Sequence, residues 1–104
     1  MPSRWDIHRA DFGAPMGHGP AKERPALVVS ADSHNLRGQA VTVVPFTSTD
    51  RPLYPGELLI EPEGTGLRKR SILQVHLVYT MDQRRLRGFV GRVEDPDYRR
   101  AIGL

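Results

Sequence analysis

Arginine dominates the side chains of this 104-residue chain that could act on a phosphate. Of 15 basic residues only Lys22 and Lys69 are lysine. The planar guanidinium donates paired hydrogen bonds to phosphate and keeps its charge at any ordinary pH. These charges are unevenly spread. Residues 1–65 carry six basic and eight acidic side chains, a net of −2, whereas residues 66–104 carry nine and four, a net of +5. Such a split points to an anionic partner for the C-terminal part. It fits equally a solvated face in a chain that prefers arginine for other reasons. Cysteine is absent, which excludes disulfides, a thiolate nucleophile and Cys-ligated zinc. Histidine, the usual proton carrier near neutral pH, occurs four times. His18 falls in a Gly-rich loop and His76 on the polar side of a strand, so both are candidates for proton transfer or substrate contact. His8 and His34 offer nothing beyond solvation. Trp5 and Phe12 could stack on bases, or serve as core or dimer contacts.

The elements that must position these groups are short. Ten glycines and nine prolines cut the chain into pieces of β-domain length. Strands are expected at 5–12, 25–30, 40–46, 57–61, 71–80 and 86–93. Residues 13–19 form a loop, residues 32–38 and 47–52 are polar connections, and residues 62–66 are a turn. Pro45 should end or bulge the third strand, because it cannot donate to a ladder. The strand over 71–80 is read as long and continuous, with Leu73, Val75, Leu77 and Tyr79 facing the core and Gln74, His76 and Thr80 facing out. Asp82 should cap a single helical turn. Asp95-Pro96 should start a final helix reaching about Ile102, a capping residue followed by proline at the first helical position. The chain is thus one domain over 1–104, mainly β, a bent antiparallel sheet or partly closed barrel with a short C-terminal helix. No secretory signal is visible. The longest apolar-leaning run, 71–81, is far shorter than the roughly 20 residues of a membrane helix. A soluble, cytoplasmic protein with no membrane contact is therefore expected.

Three motifs occur in a telling order. Asp6-Ile7 in the first strand is followed, after the Gly-rich loop, by Glu23-Arg24-Pro25-Ala26-Leu27-Val28-Val29-Ser30. Next comes Val43-Val44-Pro45-Phe46-Thr47-Ser48. Last come Gly66-Leu67, Ser71-Ile72-Leu73, Thr80-Met81-Asp82 and Arg85-Leu86. Together they resemble the MazF/PemK family of toxin endoribonucleases from bacterial toxin–antitoxin modules, over nearly the whole chain. The resemblance implies an SH3-like or CcdB-like antiparallel barrel, a homodimer, and cleavage of single-stranded RNA without cofactor or metal. It implies Arg24 and Thr47 as the catalytic pair. Ser48, His18, Ser71 and His76 are candidate substrate contacts beside them. The resemblance further implies a cognate antitoxin whose acidic tail could lie in the RNA groove and block it.

That assignment makes chemical sense. RNA can supply its own nucleophile, the 2′-hydroxyl, so a chain without cysteine needs only to orient the phosphate and stabilise added negative charge. Arginine does both, and a threonine hydroxyl can donate to a non-bridging oxygen. By residue type alone, Arg24 also reads as a surface charge held extended by Pro25, and Thr47-Ser48 as a turn bonded to its own backbone. The chain departs from the family pattern in three places. Trp5 stands where a glycine is usual, His18-Gly19-Pro20 where an acidic residue is common, and His76-Leu77-Val78-Tyr79 where an acidic-Gln-x-Arg pattern helps bind RNA. The last departure leaves a second possibility open: a non-catalytic toxin or binding protein on the same fold, acting as a DNA gyrase poison or a passive nucleic-acid binder.

Overall fold

The β-branched residues of the chain concentrate in two runs, and both become central strands. The computed structural model describes residues 2–13 and 23–103. β2 (Glu23–Val28) and β3 (Ala40–Thr47) pair antiparallel, with Ala26, Leu27 and Val28 opposite Pro45, Val44 and Val43. β1 (Asp6–Asp11) lies on the other side of β2, and β7 (Leu86–Arg92) lies on β1. β4 (Leu58–Ile60) and β5 (Ser71–Leu73) extend the far side, giving the order β4-β5-β3-β2-β1-β7. β6 (Tyr79–Asp82) pairs with the first half of β3. Every pairing is antiparallel.

Consecutive residues of β2 and β3 feed two separate cores. Leu27, Val44 and Phe46 join Ile7, Ile60, Leu73, Val93 and Ile102. Ala26, Val28, Val41 and Val43 join Ala10 and Met81. Both faces of these strands are buried, which is why their sequences lack the polar alternation of a half-exposed strand.

The expected strand over 71–80 is two strands. β5 stops at Leu73, and a turn closed by the Leu77 amide donating to the Gln74 carbonyl (2.8 Å) leads into β6. The described sheet therefore has seven strands rather than five or six. The cause lies in β3, whose single edge must be covered by two partners. Its residues 40–43 pair with β6, and Phe46 and Thr47 pair with β5. Pro45 does not end β3. It sits between the last β6 pair and the first β5 pair, and its carbonyl accepts the Gln74 amide (3.0 Å). A residue without an N–H is tolerated where the ladder changes partner. The connection at 32–38 also contains a helical turn, α1 (Asp32–Asn35). Buried Asn35 fastens it through bonds with Ser30.

The caps fall where expected. The Asp82 carboxylate accepts the Arg84 amide at the head of a 3-10 turn (Gln83–Arg85). The Asp95 carboxylate accepts the Asp97 amide at the start of α2 (Pro96–Ile102). Neither helix is long and apolar enough to cross a membrane.

Trp5 explains its own departure from the family pattern. It has φ of +78°, a left-handed conformation that glycine adopts without cost. Its backbone is held there by Trp5 N donating to the Val28 carbonyl (2.8 Å) and by its carbonyl accepting the Val93 amide (2.9 Å). The indole offsets the strain by packing on the first core cluster, with the guanidinium carbons of Arg4 and Arg99 4.8 and 5.3 Å from the ring centre. Trp5→Ala should lose the ring and keep the strain, lowering stability by about 2 kcal/mol. Trp5→Gly should lose the ring and relieve the strain, so its loss is about 1 kcal/mol. Thermal unfolding of both variants checks this inverted order. A glycine variant less stable than the alanine one would contradict it.

Candidate functional site

Antiparallel pairing brings the start of β2 to the end of β3. With Ala26 opposite Pro45, the same register carried outward sets Arg24 across from Thr47. Both side chains line one groove of about 500 Å³, together with Ser48 and Ser71. Four of the six residues named from the sequence therefore meet in one place. His76 does not join them, and His18 lies outside the described residues.

Arg24 is held rather than free. Pro25 keeps it extended, and its Nη1 donates to the Phe46 carbonyl (3.2 Å), the residue before Thr47. Its Nε is buried with no hydrogen-bond partner, and Arg24 has no ion pair among the described residues. Burial lowers its pKa from the ordinary arginine value. A half-buried cation with a spare N–H and no counter-ion gains most from an incoming anion.

The other charged residues of the lining are all cationic. Arg9 reaches the groove from β1 and is paired with Glu23 (2.9 Å). Arg68 and Lys69 reach it from the segment between β4 and β5. No aspartate or glutamate is among the described lining residues. The segment is set in place by two glycines. A Cβ on Gly66 would stand 2.1 Å from the Val90 carbonyl oxygen, and one on Gly91 would stand 1.8 Å from the Thr65 carbonyl oxygen. Backbone lies directly on backbone here, and only glycine permits it. Of this set the sequence motifs name only Gly66 and Leu67, and Arg68 and Lys69 stand only in the count of basic residues over 66–104. Arg9 and Val90 enter only through the pairing of β1 with β2 and β7, which no local signal encodes.

His76 belongs to a different cluster. Its Nδ1 lies 3.8 Å from the Glu57 carboxylate, whose side chain is fully buried. Arg51 grips that carboxylate with both terminal nitrogens at 2.8 Å, and the Tyr54 amide adds a third bond. The Arg51 guanidinium also covers the Tyr54 ring at 4.0 Å. This knot ties down the long connection between β3 and β4. Arg51 and the Tyr54 amide hold the Glu57 carboxyl down at about 2, against 4.5 unperturbed. A depressed acid contributes stability above its unfolded pKa and loses it as pH falls towards the folded value. Acid unfolding between roughly pH 4.5 and 2 should therefore be steeper in the wild type than in Glu57→Gln. At neutral pH that variant should be about 2 kcal/mol less stable, because Arg51 loses its partner. Denaturant titrations at several pH values read both effects. Parallel pH profiles would overturn the assignment.

The two aromatic residues considered as base platforms are occupied. Trp5 packs on the first core cluster, and Phe12 meets Tyr79 edge-on at 5.1 Å beside the second.

Known proteins resemble this chain over nearly its whole length. A probable endoribonuclease MazF from Mycolicibacterium smegmatis is 38% identical over 97 residues, covering 90% of this chain and 84% of that protein. Endoribonuclease MazF6 of Mycobacterium tuberculosis is 32% identical over 93 residues, covering 88% and 82%. In fold, the chain matches a mycobacterial endoribonuclease solved in complex with its cognate antitoxin, with a TM-score of 0.78, 23% identity, and coverage of 99% of this chain and 88% of that one. Residues 3–101 match the family described as the PemK-like, MazF-like toxin of type II toxin–antitoxin systems, and the chain belongs to that family.

Proposed function

We propose that this protein is a ribosome-independent endoribonuclease toxin that cuts single-stranded RNA in the groove between Arg24 and Thr47. The observation that carries the mechanism is the convergence of a half-buried guanidinium, without an ion pair and with an unsatisfied Nε, on a threonine hydroxyl in a groove whose charged residues are all cationic. The substrate's 2′-oxygen attacks the adjacent phosphorus and gives up its proton to solvent. The bond from phosphorus to the 5′-oxygen breaks, and that oxygen takes a proton. The products are a 2′,3′-cyclic phosphate and a 5′-hydroxyl. Arg24 stabilises the charge that builds on the non-bridging oxygens, and Thr47 donates its hydroxyl to one of them. Burial shifts the guanidinium in the direction that eases donation to the leaving oxygen, although charge stabilisation is its main task. Ser48 offers a further hydroxyl along the RNA, while the Ser71 hydroxyl already donates to the Lys69 carbonyl.

Relatives named as endoribonucleases favour catalysis over the gyrase-poison reading. The segment that suggested loss of RNA chemistry, around His76, is not among the groove residues. A cognate antitoxin with an acidic tail fits the groove's charge, and a mycobacterial protein of the same fold was solved with its antitoxin. A cytoplasmic homodimer completes the proposal. The test is incubation of purified protein with a long RNA in chelator, followed by end mapping. Cuts at a short recurrent sequence with 5′-hydroxyl ends are expected. Intact RNA would overturn the proposal, and failure of DNA supercoiling alongside it would favour the gyrase poison.

A further inference from the structure

The proposed chemistry uses only part of the groove's charge. A scissile phosphodiester carries one negative charge, and Arg24 with Thr47 suffices for it. Arg68 and Lys69 also line the groove. Neither side chain makes an ion pair or hydrogen bond among the described residues. Their neighbour Arg70 behaves differently: it pairs with Glu61 (3.1 Å) and is not part of the lining. Three consecutive cations are thus sorted, two left unneutralised at the groove and one anchored beside it.

The segment that presents them is fixed at both ends. The Thr65 hydroxyl donates to the Pro62 carbonyl (2.7 Å) and accepts the Leu67 amide (3.1 Å). Thr65 and Gly66 press on the backbone of Val90 and Gly91. On the other side, the Ser71 hydroxyl donates to the Lys69 carbonyl (3.0 Å). Holding unpaired like charges beside Arg24 on a fixed backbone costs self-repulsion, which bound anionic charge relieves. An RNA strand carries such charge at every linkage.

We propose that Arg68 and Lys69 form a second phosphate subsite, which grips the phosphodiester next to the scissile one. This rests on the reading that RNA enters the groove. It makes these two residues determinants of substrate binding, with the bond-breaking step left to Arg24 and Thr47.

The test separates KM from kcat. At 0.1 M salt, Arg68→Gln and Lys69→Gln should each raise KM roughly tenfold while kcat stays within about twofold. Each should also flatten the dependence of log affinity on log salt by about 0.7. Arg70→Gln removes the same charge one residue away and should change neither. Replacing the flanking linkage with a neutral methylphosphonate should weaken wild-type cleavage about tenfold and cost the double variant nothing more. Unchanged KM in both single variants, or an equal methylphosphonate penalty in wild type and double variant, would overturn the subsite. A binding measurement keeps this separate from the catalytic proposal. Fluorescence anisotropy with a labelled 12-nucleotide oligodeoxynucleotide, which has no 2′-hydroxyl and cannot be cut, reads the salt slope directly. Equal slopes for wild type and double variant sink the subsite. A flatter slope in a protein that cuts no RNA keeps the subsite and sinks the nuclease.

Discussion

Arg24→Ala should abolish most RNA cleavage, by a factor of about 10² to 10³, and leave the protein folded. The rate loss follows from removing a preorganised cation aimed at developing charge in a partly dry site. The fold should survive because Arg24 makes a single long bond, to the Phe46 carbonyl, while its Nε is buried unsatisfied. Arg24→Met goes further. It keeps the packing of the aliphatic stem and removes the desolvated charge, so it should be as stable as the wild type or slightly more so, while equally inactive. Arg24→Lys retains the charge without the fork and should fall between wild type and alanine. Thr47→Ala removes a neutral donor and should cost about tenfold. Cleavage rates measured beside thermal unfolding distinguish this from a structural role. An Arg24→Ala protein that cuts as fast as wild type, or one that fails to fold, would refute the assignment of Arg24 as the charge-stabilising residue.

Some of this was legible in the sequence because the signals are local. Asp95-Pro96 and Asp82 announce their helical turns through capping chemistry that needs no distant partner. The runs around Val28 and Val43 announce central strands through composition. Arg24 and Thr47 were reached through the order of three motifs, and their proximity required only that β2 and β3 be neighbours.

What escaped was long-range. The alternation of Leu73, Val75, Leu77 and Tyr79 is a good strand pattern, and no glycine or proline breaks it. It is interrupted because β3 needs two partners along one edge, a demand written nowhere between residues 71 and 80. His76 was misplaced for the same reason. With the strand broken by a turn, its ring leaves the expected polar face and approaches Glu57. Pro45 looked like a stop because a ladder was assumed to have one partner throughout. Trp5 is the converse case. The positive φ that favours glycine at this position was invisible, although the departure from glycine was noticed.

The contact between Gly66 and Gly91 yields the largest expected effect on stability. Gly91 has no unusual φ, so alanine there suffers no conformational penalty and the effect of Gly91→Ala is purely steric. Its new Cβ would lie 1.8 Å from the Thr65 carbonyl oxygen and 2.6 Å from the carbonyl carbon. Both are backbone atoms and cannot swing aside as a side-chain end would. The 65–66 turn must therefore lift from β7, or β7 must leave its register with β1, where Gly91 stands opposite Ile7 of the core. We expect Gly91→Ala to lose about 3 kcal/mol, the upper range for forced overpacking. Gly88→Ala is the matched control on the same strand, because a Cβ there meets nothing within 4 Å. It should be neutral or slightly stabilising through the unfolded chain. The lifted turn also carries Leu67, Arg68 and Lys69, so the groove should lose affinity for RNA along with stability. Denaturant unfolding, paired with oligonucleotide binding at a temperature where the variant is still folded, measures both. If Gly91→Ala falls within 1 kcal/mol of Gly88→Ala, the two backbones are not in the contact that shapes the groove.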